Sequence, residues 1–104
     1  MTPAQCVVVR ENRVLVLEHR EGDDGYWLLP GGATAEGEEP ADAALRELEE
    51  ECQVRGELVK LLSYNNYSKR FQEYSYLVDI GDQPPALGQD PELAGEAQIL
   101  TDLR

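Results

Sequence analysis

Glu47, Glu50 and Glu51 are the residues whose types and spacing could do chemistry. On a helix, at 100° per residue, they share an arc of roughly 100° centred about 120° from the apolar positions of the same stretch. Those positions, Ala41, Ala44, Leu45, Leu48 and Cys52, recur at i, i+3, i+4 and i+7. That pattern predicts a helix over 40–52 with one buried face. Three carboxylates brought close repel one another, and at neutral pH a proton, water or a cation relieves the repulsion. Oxygen ligands with no histidine or thiolate nearby suit a hard ion, Mg²⁺ or Mn²⁺, rather than Zn²⁺. The competing reading is a plain solvated acidic face over Glu49, Glu50 and Glu51, as most charge runs are.

A glycine turn stands ahead of this helix. Gly31 and Gly32 follow Pro30, and without a Cβ the backbone there can approach a ligand closely or take positive φ. From Gly32 onward, Glu38, Arg46-Glu47, Leu48, Glu50-Glu51 and Val54 fall at the spacing G-x5-E-x7-R-E-U-x-E-E-x-G-U, with U aliphatic. The segment resembles the Nudix box. One slot departs: Gln53 stands where the family has glycine, a residue that ends the helix rather than touching metal. Gln53 holds a left-handed cap poorly, so the helix is expected to run on to Gly56.

The resemblance implies an α/β (α+β) fold, a mixed β-sheet sandwich around one central box helix, in a single domain over 1–104. It also implies a second helix closing the fold after the last strand. Only Asp102-Leu103-Arg104 remain for it, so the expectation is a fragment, a partner such as a second copy in a homodimer, or a trimmed fold. The implied activity is Mg²⁺-dependent hydrolysis of a nucleoside diphosphate linked to another group: a nucleoside triphosphate, a dinucleotide or a nucleotide sugar. The alternative is a catalytically weak binding module that keeps the box.

By the same resemblance Glu47, Glu50 and Glu51 hold the metal, with the carbonyl of Gly32 as a further ligand. Glu47 is the first candidate for accepting the proton of the attacking water, and Glu96, at the end of the Pro/Gly loop, is the second. Arg46 orients the glutamates, Glu50 being four residues on. Glu36 and Glu38 fix the loop and the helix start, ahead of Pro40. Lys69 and Arg70 are candidates for the substrate phosphates, or else solvated turn charges. His19 and Trp27 read as structural, and Tyr64, Tyr67, Tyr74 and Tyr76 as packing residues with stacking the minor option.

The elements that must position these residues are short. Gln5 to Arg10 and Arg13 to His19 read as strands joined at Glu11-Asn12, their apolar runs suggesting cover on both faces. Arg20 to Gly25 is a polar loop, and Tyr26 to Leu29 a strand entering the glycine turn. After the helix, Glu57 to Tyr64 is a strand and Asn65 to Arg70 a turn. Tyr74, Tyr76, Val78 and Ile80 then alternate with Ser75, Leu77 and Asp79, a half-covered strand. Gly81 to Gly95, with Pro84-Pro85 and Pro91, is a loop, and Gln98 to Thr101 a last strand.

Composition agrees with a small enzyme. The chain has 104 residues and a formal net charge of −12, a field that repels nucleic-acid backbones and anionic membranes. A phosphorylated small molecule is repelled too unless divalent ions invert the local sign. Cys6 and Cys52 lack metal-ligand spacing and read as small buried residues. The apolar N-terminal runs are broken by Arg10, Glu11 and Arg13 too soon for a signal-peptide core or a membrane span, which makes a cytoplasmic location the expectation.

Overall fold

The computed structural model describes residues 2–21, 24–86, 88 and 98–100. Two sheets and one helix account for its regular structure. The first sheet has the order β5-β1-β7-β6, built from Gly31–Ala33 (β5), Pro3–Val7 (β1), Phe71–Asp79 (β7) and Glu57–Ser68 (β6). β1 runs parallel to β7 and antiparallel to β5, and β6 and β7 form an antiparallel hairpin. The second sheet joins Val9–Arg10 (β2), Arg13–Glu21 (β3) and Asp24–Leu28 (β4), and Gln98–Leu100 (β8) pairs with β3. The helix α1, Pro40–Cys52, packs on β1 and β5.

This is the mixed α+β architecture expected, with several changes of boundary. The first predicted strand divides at Val8, so that β1 serves one sheet and β2 the other; the Val8 carbonyl accepts from Leu15 N–H at 3.0 Å. Glu11 and Asn12 turn the chain with φ of 54° and 63°, the left-handed pair that a two-residue hairpin loop requires. Cover on both faces holds for β3, where Leu15, Val16 and Leu17 are all buried, but β1 buries only Ala4 and Cys6. The loop expected over 20–25 shrinks to Gly22 and Asp23, which lie outside the described residues. Arg20 pairs with Gly25 and Glu21 with Asp24, because the antiparallel ladder satisfies their backbone groups whatever the side chains are.

The turn expected over 65–70 also shrinks, to Lys69 and Arg70. Asn65 pairs with Glu73 and Asn66 with Gln72, and Tyr67 meets Phe71 with ring centroids 5.4 Å apart at the tip. The alternation in β7 holds on its helix side, where Tyr76, Val78 and Ile80 are buried; Ser75 on the other side is buried as well. Thr101, placed in the last strand by its sequence, lies outside the described residues, as does most of the Pro/Gly loop.

The helix itself matches its predicted span. Pro40 occupies its first turn, where the missing N–H costs nothing, and Asp42 sits near the positive end of the dipole. Its other end differs from expectation. Gln53 does take the left-handed cap, with φ 56° and ψ 36°, and its N–H donates to the Glu49 carbonyl. Two carbonyls of the last turn are claimed by the loop after β7: Ala86 N–H donates to Cys52 and Gly88 N–H to Glu51, at 2.9 and 2.7 Å. Those bonds, and the burial of Val54 directly after the cap, stop the helix at Cys52. Gly56 serves packing instead, since a Cβ there would strike Val78 and come within 2.9 Å of Leu48.

Candidate active site

The core stripe of α1 includes Ala44, Leu48 and Cys52, and Glu51 lies on the same side, seven residues from Ala44. Glu51 is therefore no part of a solvated acidic face. It is 2% exposed, and its Oε1 accepts a hydrogen bond from Gly31 N–H at 2.8 Å. Its charge reaches Cys6 and Cys52, whose thiols are pushed up to about 12, first by burial and then by Glu51. Both thiols stay protonated at neutral pH and serve packing, with Cys6 Sγ donating to the Ala44 carbonyl.

The neighbouring carboxylates are organised by Arg46. Its Nε and Nη2 donate to the two oxygens of Glu38 at 2.8 and 3.0 Å, the bidentate geometry that suits guanidinium and carboxylate. Its Nη1 reaches Glu47 at 3.0 Å and Glu50 at 3.3 Å, and Nη2 also reaches the Ala33 carbonyl. Glu38 accepts Ala35 N–H as well. The Arg46 bond and that amide hold Glu38 down to about 2, while Glu38 foremost lifts Arg46 above its ordinary value. Glu38 thus fixes the loop, as its sequence position suggested.

Gly32 supplies room. A Cβ there would lie 2.7 Å from Cδ and Oε1 of Glu47, so the missing side chain is what lets that carboxylate rest against β5. Gly31 is crowded from the other direction, where a Cβ would strike the Ala4 carbonyl and Gln5. Both glycines serve close approach.

The three glutamates do share one end of the site, but they do not stand as a ready-made trio. Among the described residues no three His, Cys, Asp or Glu side chains are grouped to hold a metal ion. The reason is electrostatic. Like carboxylates repel, and Arg46 draws Glu47 and Glu50 to one nitrogen while Gly31 holds Glu51. The donor set still fits a hard divalent cation: carboxylate oxygens, one of them deeply buried and pre-aimed by a backbone amide, on a helix that fixes their spacing. Glu50, with its side chain 58% exposed, can turn outward.

Other sequence candidates stand elsewhere. Lys69 and Arg70 occupy the β6–β7 tip; β7 residue Tyr74 is level with Gly32 through Ala4. Four residues of strand, about 13 Å, and two strand spacings, about 10 Å, separate the tip from the glycine turn. Glu96 lies outside the described residues, as does the side chain of His19. Trp27 is not core: it is 43% exposed, with Tyr26 and Leu28 beside it also exposed. Tyr76 is buried as expected and Tyr74 packs on the core, whereas Tyr64 and Tyr67 are exposed; the Tyr64–Tyr74 and Tyr74–Tyr76 ring centroids lie 4.7 and 6.1 Å apart. What sequence reasoning missed is the Gly31 amide as the partner of Glu51, and Glu38 as the main partner of Arg46. Glu51's place on the i, i+4, i+7 stripe was the signal for the first.

Such a fold, with a glycine turn set against a glutamate-bearing helix, defines a recognised class. The family model described as NUDIX domain matches residues 1–99, and the chain belongs to that family. It is 35% identical over 81 residues to diphosphoinositol polyphosphate phosphohydrolase 2 of Homo sapiens, covering 74% of this chain and 44% of that protein. It is 31% identical over 81 residues to a nucleoside triphosphate pyrophosphatase/Nudix hydrolase fusion protein of Bifidobacterium longum, covering 75% of this chain and 16% of that one. The chain thus spans less than half the length of these curated relatives. In fold it is similar to a MutT NUDIX hydrolase from Burkholderia pseudomallei, with a TM-score of 0.80 at 24% identity over 99% of this chain and 85% of the other. No helix among the described residues is long and apolar enough to cross a membrane.

Proposed function

We propose that the chain hydrolyses the pyrophosphate linkage of a nucleoside diphosphate joined to another group, with Mg²⁺ as cofactor and Mn²⁺ as a substitute. The observation that carries this reading is the buried Glu51 carboxylate, aimed by Gly31 N–H beside the Glu38–Arg46–Glu47–Glu50 cluster. Family membership supports the type of bond cleaved. Relatives are named for diphosphoinositol polyphosphates and for nucleoside triphosphates, both of which carry a phosphoric anhydride.

Water attacks a phosphate anion slowly because both partners are electron-rich. Glu47, Glu50 and Glu51, with the Gly32 carbonyl, are the proposed metal ligands. Bound there, the ion supplies neutralisation of the phosphates and a water of lowered pKa. The remaining work belongs to the chain. Glu51 stays fixed through its amide partner, so little reorganisation is needed when charge develops. Arg46 holds Glu38, Glu47 and Glu50 in register. Glu47 is the first candidate to take the proton from the attacking water, and Glu96 the second. Nucleic acid and membranes are not the proposed partners of a chain at −12; a small nucleotide is.

A panel of nucleoside triphosphates, dinucleotides and nucleotide sugars with Mg²⁺ or Mn²⁺, assayed for phosphate, pyrophosphate and monophosphate, tests the reading. Metal-dependent release of a monophosphate or pyrophosphate from at least one class is expected. Release from none, with either metal, would overturn it.

A further inference from the structure

Where the Glu51 carboxylate points depends on where the last turn of α1 sits. Helix ends fray, because their last carbonyls have no partner within the helix. Here the loop after β7 claims two of them. Gly88 N–H donates to the Glu51 carbonyl at 2.7 Å, and Ala86 N–H to that of Cys52 at 2.9 Å. Glu51 is thereby gripped twice, its main chain by Gly88 and its side chain by Gly31 N–H at 2.8 Å. With both ends held, the carboxylate keeps its aim.

The grip on the main chain is one that only glycine permits. A Cβ on Gly88 would overlap the Glu50 carbonyl oxygen, and it would lie 2.9 Å from the Glu50 carbonyl carbon and 3.1 Å from that of Glu51. The obstacle is main chain, so no side chain can turn aside to make room, unlike the Glu47 carboxylate beside Gly32. An added methyl must lift the loop off the helix or shift the turn that bears Glu50 and Glu51.

The loop is fastened well before it reaches Gly88. The Oε1 of Gln83 accepts Arg55 N–H at 2.9 Å, and its Nε2 donates to the Arg55 carbonyl at 2.7 Å. These are the two bonds that a neighbouring strand would supply to the segment leaving the helix. The same Nε2 donates to the Ile80 carbonyl at 2.7 Å. Arg10, from β2, ties down the carbonyls of Gly81 and Gln83 at 3.0 and 2.8 Å. Pro84 and Pro85 follow, each with φ fixed by its ring, so the anchor at Gln83 is passed on to Ala86 with few conformations to spare.

We propose that Gln83 and Gly88 are positioning residues for the metal site: the loop after β7 is a brace that sets the last turn of α1 and, through it, the aim of Glu51. Both act through Glu51 rather than on metal or substrate themselves. The proposal rests on the reading of Glu51 as a metal ligand.

Gly88→Ala and Gln83→Ala test it with two readouts, hydrogen exchange of the Gly31 amide by NMR without metal, and Mn²⁺ affinity by calorimetry. In Gly88→Ala the Gly31 N–H should exchange about tenfold faster or more, while Leu15 N–H, bonded to Val8 in the other sheet, stays within about twofold. Mn²⁺ should bind about tenfold more weakly, the scale of a lost outer contact in a metal site. Gln83→Ala should move both readouts the same way by a smaller factor, and it decides the matter by itself should Gly88→Ala not fold. With Mn²⁺ bound by wild type, either readout unchanged in both variants overturns the proposal. Leu15 accelerating as much as Gly31 overturns it too, by showing that the whole fold has loosened. Wild type that binds no Mn²⁺ overturns the metal-ligand reading instead, and the Gly31 amide then decides alone whether the loop aims Glu51.

Discussion

Arg46 holds the Glu38 carboxylate in its charged form. The folded-state pKa of Glu38 is held near 2 by the Arg46 bond and the Ala35 amide, against about 4.3 for a free glutamate. A depressed carboxylate contributes stability that is present above its unfolded pKa and lost as pH falls through the folded one. Wild type should therefore resist urea better than Glu38→Gln above about pH 5, with the gap closing between about 4.3 and about 2. A gap that stays constant over that range would count against the pairing. Gly32 carries the next prediction. In Gly32→Ala the new methyl meets the Glu47 carboxylate and must push it aside, a shift of the order of 1 Å that costs roughly 10²-fold in activity. Circular dichroism should stay native, because the obstacle is the end of a side chain; turnover within threefold of wild type would show that Glu47 need not rest there. These residues were legible in the sequence as a spaced set, since spacing is what a helix preserves. Glu38 meeting Arg46 across eight residues was not, because a loop and a helix turn intervene.

At the scale of elements, the helix span was readable and its exit was not. Apolar positions at i, i+3 and i+4 fixed Pro40–Cys52, but the stop depends on contacts from Ala86 and Gly88, which no local pattern encodes. The strained cap at Gln53 follows from those contacts. A side chain at φ 56° is less comfortable than glycine, so Gln53→Gly should stabilise the fold by about 0.5–1 kcal/mol. A higher urea midpoint with an unchanged slope checks this; a lower midpoint would mean the cap is relaxed as it stands. The hairpin arms were misread for a related reason. Arg20, Glu21, Asp24 and Asn65–Ser68 are polar, yet an antiparallel ladder needs only backbone groups, so side-chain polarity concealed the length of β3, β4 and β6.

At the scale of the molecule, the strand β6 stands out. It is the outer strand of its sheet and every one of its 12 residues is exposed, among them Leu58, Val59, Leu61, Leu62, Tyr64 and Tyr67. Its only charged residues, Glu57 and Lys60, cancel, although the chain as a whole carries −12. A long, apolar, neutral edge without Pro or Gly favours pairing with another strand. The chain should self-associate through β6, giving a mean mass that rises with concentration in light scattering and falls back in Leu61→Lys. A constant monomer mass across the series would contradict this, and would leave the three register shifts along β6 as sufficient protection of the edge.

The central claim is that Glu51, held by Gly31, belongs to a divalent-metal hydrolase site, and Glu51→Gln tests it most directly. The amide keeps an oxygen for the Gly31 N–H and nearly the same volume, so the core should remain intact while the charge is lost. Turnover with Mg²⁺, measured on whichever nucleotide the panel identifies, is expected to fall by about 10²–10⁴, a barrier rise of about 3–5 kcal/mol. Native circular dichroism with a fall of less than tenfold would contradict it.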